Sequence, residues 1–283
     1  MSFGPLVSTQ WLAEEGNASD VVLFDASTYL PNESKNGLEQ YLKSHIPGAR
    51  FFDIDTFSDP ETPLPHTVPS QGRFARLIGA EGVDNNSRVV VYDQKGLFSA
   101  ARVWWLLRYF GHSQVAVLDG GLPKWLSENR LSESGEAKPA INRQFNPSVN
   151  ARHLKGLGDV LSATTEHDSL ILDARAANRF DGSSAELRPG VASGHIPGSR
   201  NLPYSRLLHD DHTLRSPETL RALFAEAGVD GHKAVITSCG SGVTAAVLLL
   251  GLAVAGLPNG ALYDGSWTEW GSRTDTPKAS GGL

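Results

Sequence analysis

Short apolar runs, separated by polar and turn-rich stretches, set the rhythm of this chain. Six of them, at 21–24, 88–92, 115–118, 170–172, 234–237 and 261–263, are rich in valine, isoleucine and leucine and end in polar or turn residues. Runs this short and this continuously apolar predict strands buried on both faces, as in parallel sheets. Helical spacing falls between them. The segment 220–227 follows Ser216-Pro217-Glu218, which supplies an N-cap, a proline at N1 and an acid in the first turn, and it stops at Gly228. Segments 99–110 and 244–255 predict two further helices, each following a strand. Strands alternating with helices imply an α/β fold with mostly parallel sheet covered on both faces. The most apolar stretch, 243–257, holds 15 residues. A spanning helix needs about 20, so a buried helix is expected and no membrane partner.

The pattern occurs twice. His45-Ile-Pro-Gly-Ala-Arg50 returns as His195-Ile-Pro-Gly-Ser-Arg200, 150 residues on. Asp25 and Asp173 close similar apolar runs 148 apart, and an offset of 145 relates 88–94 to 233–239, Asp119-Gly120-Gly121 to Asp264-Gly265-Ser266, and Trp125 to Trp270. Ordered matches with a slowly drifting offset indicate two copies of one unit. Between 127 and 150 the chain becomes polar. The expected organisation is therefore a first domain over 1–130, a linker over 131–150 and a second domain over 151–283.

Composition narrows the function. With 25 basic and 31 acidic residues the net charge is −6, which lacks the basic footprint of a nucleic-acid binder. The opening residues show neither a basic region nor an apolar core of a secretory signal. One cysteine cannot form an internal disulfide, so a reducing compartment, the cytoplasm, is expected. No Cys/His spacing points to a metal, and no Gly-Lys-Ser/Thr loop points to a nucleotide, so no cofactor is expected.

The cysteine itself carries the chemistry. Cys239 opens Cys-Gly-Ser-Gly-Val-Thr, between the strand at 234–237 and the helix from 244. That puts a thiol at the carboxyl end of a parallel strand, where open α/β sheets bind ligands. Gly240 and Gly242 permit a tight loop whose successive N–H groups form an anion-binding nest, and the following helix adds the positive end of its dipole. Both favour a thiolate nucleophile. At the 145 offset the counterpart of Cys239 is Gln94, so one copy is expected to be catalytic and the other supporting. Phosphatases use a similar strand–Cys–loop–helix cradle with an arginine six residues after the cysteine; here that position is Ala245, and the phosphate clamp is missing.

Two tandem α/β units, a His-Ile-Pro-Gly in each, and the Cys239–Ala245 loop resemble the rhodanese superfamily, and within it the branch of two-domain 3-mercaptopyruvate sulfurtransferases. The resemblance covers roughly residues 8–272. It implies two rhodanese-like domains and sulfur transfer from 3-mercaptopyruvate through a Cys239 persulfide to a thiol or cyanide, a thioredoxin-like dithiol being one such acceptor. The thiosulfate-using branch typically carries Arg-Lys after the cysteine, where this chain has the neutral Gly240 and Ser241. By motif, Arg179 and Arg188 bind the substrate, together with the loop residues Gly240, Gly242, Val243 and Thr244. Ser241, His66 and Asp55 match the family's proposed proton-supplying set. One departure stands out: Ala185-Glu186-Leu187-Arg188 replaces the common Pro-Glu-Pro-Arg.

His45 and His195 recur in both copies, including the one without a thiol, and read as structural turns. Asp264 and Trp267 likewise read as scaffold. The rival functions are a thiosulfate sulfurtransferase and a non-catalytic rhodanese-like binding module.

Overall fold

The computed structural model of the chain describes residues 3–258 and 260–281. Its contacts divide it into two units. The first takes the chain up to Pro60, Val68–Asn150 and His209–Leu214; the second takes Glu61–Thr67, Ala151–Leu208 and the chain from Arg215. The polar segment 131–150 is hydrogen-bonded along the first unit. His45 and Glu133 exchange backbone hydrogen bonds of 2.9 and 2.8 Å, Arg143 N–H donates to the Gly79 carbonyl, and Ser148 N–H donates to that of Phe110.

The first unit contains β1 (Leu6–Val7), α1 (Thr9–Glu15), β2 (Val21–Asp25), α2 (Gly37–Lys43), β3 (Arg50–Phe51), α3 (Gln71–Ala80), β4 (Arg88–Tyr92), α4 (Ala100–Tyr109), β5 (Val115–Leu118) and α5 (Gly121–Ser127). The second repeats the plan with β6 (Leu154–Lys155), α6 (Leu157–Glu166), β7 (Ser169–Asp173), α7 (Ala177–Phe180), β8 (Arg200–Asn201), α8 (Pro217–Glu226), β9 (Ala234–Ser238), α9 (Ala245–Val254), β10 (Ala261–Tyr263) and α10 (Ser266–Ser272). The sheets run β1-β5-β4-β2-β3 and β6-β10-β9-β7-β8, with every pairing between these strands parallel. The six strands expected from the apolar runs form the middle of these sheets. The two-residue strands β1, β3, β6 and β8 lie at the edges, too short to leave a pattern in the sequence.

The central strands are apolar because both faces are covered. Val89, Val90, Val91 and Tyr92 on β4 and Leu262 on β10 have no exposed surface, and Ile236 on β9 is also buried. The expected buried helix is α9, on which every residue from Ala245 to Leu252 is buried. Each enclosed aliphatic side chain on it contributes about 1.5–3 kcal/mol. At the start of α8 the Ser216 hydroxyl accepts the Thr219 N–H at 3.3 Å, and Pro217 occupies the first helical position, as its local sequence predicts. Among the described residues no helix is long and apolar enough to cross a membrane.

The recurring histidines are matching anchors. His45 Nδ1 meets the Tyr41 carbonyl at 2.9 Å and its ring stacks on Tyr41, while His195 Nδ1 meets the Phe180 carbonyl at 2.8 Å and stacks on Phe180. Each ring thus ties a helix end to the turn that leads into the next edge strand. Trp267 is fully buried, its indole N–H donating to the Ala192 carbonyl.

Candidate active site

Sheet register fixes which residues correspond in the two copies. Asp25 of β2 pairs with Tyr92 of β4, and Asp173 of β7 pairs with Ser238 of β9. The next residues, Asp93 and Cys239, are therefore equivalent. Their carbonyls confirm it: Asp93 accepts the N–H of Leu122 at 3.1 Å, and Cys239 accepts that of Trp267 at 2.9 Å. The counterpart of Cys239 is thus Asp93, not Gln94 as the constant offset implied. The first copy has one extra residue between its strand and α4, so the offset is 146 through the strand and 145 through the helix.

The two loops hold their amides differently. In the first unit Asp93 folds back on its own loop. One carboxylate oxygen accepts the N–H groups of Phe98, Ser99 and Ala100 at 2.8–2.9 Å, and the other accepts that of Lys95 at 2.9 Å. In the second unit the carbonyls of Cys239 and Gly240 are drawn to the start of α10, accepting the N–H groups of Trp267 and Thr268, with the Thr268 hydroxyl donating as well. Cys239 N–H donates to Ser266 Oγ at 3.3 Å. For the N–H groups of Ser241, Gly242, Val243, Thr244 and Ala245 there is no acceptor among the described residues. These groups open the N-terminus of α9, where partial positive charge collects. Gly242 turns the loop with φ +76, a conformation side-chain-bearing residues resist. Cys239 is 2% exposed, Val243 is buried, and Ser241 and Thr244 sit at the edge of burial. The glycine-turned loop expected from the sequence is present, with Cys239 as its first residue.

A charged chain leads to this loop from β7. Asp173 accepts two hydrogen bonds from Arg175 Nε, at 3.0 and 3.1 Å, and one from Nη2 at 2.7 Å. Arg175 Nη2 also donates to the Gly194 carbonyl, and its guanidinium lies 4.7 Å from the Trp267 ring. Burial works against the charge on Arg175, yet Asp173 and Glu186 together hold it more firmly protonated than an ordinary arginine. Glu186 joins the two arginines, accepting Arg175 Nη1 at 2.6 Å and Arg179 Nη2 at 2.5 Å. Arg179 then reaches the nucleophile loop. A Cβ on Gly240 would lie 3.3 Å from Arg179 Nη2, and Arg179 Nε is buried without a hydrogen-bond partner among the described residues. Arg188 is half-buried at the end of the same segment, its carbonyl accepting Val191 N–H.

His66 belongs by its contacts to the second unit. Its Nδ1 lies 2.9 Å from Ser241 Oγ, and its backbone sits in the left-handed region at φ 62, which histidine tolerates better than most residues. Asp55 is an exposed residue of the first unit; its N–H donates to Asp53 Oδ1 and its carbonyl accepts Ser58 N–H. Motif matching did not single out Asp93 or the Asp173–Arg175–Glu186 chain. In the sequence Glu186 stands out only as the acid retained in a loop without the family's prolines, with arginines at 175, 179 and 188 around it as the available signal.

Comparison with known proteins agrees with this architecture. The family described as Rhodanese-like domain matches residues 8–128 and again 157–273. A 3-mercaptopyruvate sulfurtransferase of Escherichia coli K12 is 43% identical over 278 residues, covering 98% of either chain. A mitochondrial thiosulfate/3-mercaptopyruvate sulfurtransferase of Arabidopsis thaliana is 39% identical over 96% of this chain and 77% of its own. The crystal structure of SseA from Escherichia coli, a 3-mercaptopyruvate sulfotransferase of rhodanese fold, aligns with a TM-score of 0.84 and 41% identity over 94% of this chain and 99% of that one. A twice-matched domain, a shared sheet order and near-full-length similarity place the chain in the rhodanese family, as a tandem pair of rhodanese-like domains.

Proposed function

We propose that the chain is a 3-mercaptopyruvate sulfurtransferase. The observation that carries the reading is the enclosed Cys239 at the head of a loop whose N–H groups have no acceptor among the described residues, with the Arg179 guanidinium against Gly240. The Cys239 thiolate attacks the substrate's sulfur, forming the S–S bond as the C–S bond breaks. The electron pair passes to the departing three-carbon unit as the enolate of pyruvate, and a proton on its carbon completes the product. The enzyme keeps a cysteine persulfide, whose outer sulfur leaves with an acceptor thiol or cyanide. Splitting the transfer into two displacements is covalent catalysis.

The residues divide the work. Arg179 and Arg188 bind the carboxylate and the neighbouring keto oxygen, for which planar guanidinium forks are suited. Gly240 and Gly242 shape the loop, and the N–H groups of Val243 and Thr244 face the anion it receives. Ser241 relays the proton with His66 as general acid–base, and Asp55 is the third member of the set by family likeness. Residues 1–130 form the supporting domain, 131–150 the connection and 151–283 the catalytic domain. A lone, enclosed cysteine suits the reducing cytoplasm, with a thioredoxin-like dithiol as acceptor.

The test is kcat/KM for 3-mercaptopyruvate against thiosulfate, first with cyanide and then with a dithiol as acceptor. A strong preference for 3-mercaptopyruvate supports the assignment. A preference for thiosulfate keeps the persulfide and replaces the donor, and activity with neither overturns the enzymatic reading.

A further inference from the structure

Arg179 is held from one side only. Its Nη2 is fixed to Glu186, its Nε has no hydrogen-bond partner among the described residues, and its guanidinium lies against the nucleophile loop at Gly240. Glu186 in turn has a 4% exposed side chain and is itself fixed: its second oxygen accepts Arg175, whose side chain is 1% exposed and locked to Asp173 at the end of β7. The carboxylate is therefore a bracket between an enclosed arginine and one that lies against the nucleophile loop. Opposite charges in so enclosed a place interact strongly, and truncating one partner leaves the other without compensation.

We infer that Glu186 is a positioning residue: it holds Arg179 in the orientation that draws an anionic substrate carboxylate onto Cys239. This deepens the sulfurtransferase reading and rests on it for the identity of the substrate. Asp173 and Arg175 anchor the bracket to the sheet, so the orientation of Arg179 is set by the strand and not by the loop alone. Without the Glu186 charge, Arg179 keeps its own charge but loses its aim.

The test separates aim from charge. Cys239 is alkylated by iodoacetate, which carries a carboxylate, and by iodoacetamide, which is neutral; the ratio of the two rates reports how well a carboxylate is drawn to the thiol. In the Glu186→Gln protein that ratio falls roughly tenfold, the scale on which a misplaced orienting group is felt, while the iodoacetamide rate stays near that of the parent; the thermal midpoint falls, because Arg175 and Arg179 lose a buried counter-charge. KM for 3-mercaptopyruvate rises more than kcat falls. In an Arg179→Ala background the same Glu186→Gln change leaves the ratio where Arg179→Ala put it, because the residue acts only through Arg179. A ratio that stays constant or rises in Glu186→Gln overturns the inference, since removing a negative charge without loss of aim would favour the anion. Additive losses in the double variant overturn it too. Should Glu186→Gln unfold, Arg175→Lys, which keeps the charge but not the fork, supplies the same comparison. If the parent turns over no 3-mercaptopyruvate, the sulfurtransferase reading falls while the alkylation ratio still decides the role of Glu186.

Discussion

The guanidinium of Arg179 fills the volume that a side chain at position 240 would enter: Nη2 lies 3.3 Å from where a Cβ on Gly240 would stand. The neutral loop and the nearby arginine are thus one arrangement. Positive charge is delivered to the nucleophile from α7, and glycine at 240 leaves room for it.

Moving the charge onto the loop should therefore exchange one arrangement for the other. In the double variant Gly240→Arg, Ser241→Lys the new side chain displaces Arg179, and two loop cations suit a dianionic thiosulfonate. The expected result is a fall of about tenfold or more in the kcat/KM ratio of 3-mercaptopyruvate to thiosulfate, measured with cyanide as acceptor. An unchanged ratio would assign donor choice to other residues.

Cys239→Ser replaces the sulfur by a smaller, harder oxygen in a 2% exposed position. The fold and its thermal midpoint should persist, while turnover drops by about 10³-fold or more, as when a covalent nucleophile is removed. Mass spectrometry after exposure to the sulfur donor should show the parent, and not the variant, heavier by one sulfur atom.

Ser241→Ala breaks the 2.9 Å link to His66 without touching the thiol. Pyruvate release in a single turnover should slow by about 10²-fold, within the range of general acid–base contributions, while the iodoacetamide rate at Cys239 is retained. Equal losses in both measurements would make the pair a packing element.

The first unit supplies a pH dependence of its own. Asp25 is buried without the arginine that accompanies Asp173, because Ser27 stands where the second copy has Arg175. Burial pushes its carboxyl from 3.8 up to about 6, with hydrogen bonds from Ser27 and Gln94 offsetting part of the cost. The native state then binds this proton more tightly than the unfolded chain does. Its stabilising effect is full below the ordinary carboxyl value and is lost as pH rises through about 6. The loss is roughly 3 kcal/mol, the shift expressed as free energy. Asp25→Asn should flatten the fall in unfolding free energy between pH 4 and 6.5, followed by urea denaturation; an identical slope in the variant would place the titration elsewhere.

Much of this was legible in the residues. Long central strands announced themselves because both their faces are buried, and the duplication showed through motifs whose spacing survives. Edge strands of two residues leave no periodic trace. A constant offset sets Gln94 opposite Cys239 for a related reason: a one-residue insertion in a loop shifts alignment between a strand and the next helix, and only hydrogen-bond register reveals where. The proton-supplying and arginine candidates came from family likeness and not from pattern. Glu186 was hidden because an acid in an irregular segment reads as solvated until burial between two guanidinium groups is seen.

Asp93 has one further consequence. Its carboxylate, received by four N–H groups of its own loop, is a permanent resident of the site that the second copy leaves open. The first copy is therefore a lock with its key broken off inside, its own carboxylate tethered where the second copy's loop stands open. Matching the second copy's loop would take two edits together: a thiol at position 93, and the deletion of one loop residue to bring the helix N-terminus back into step.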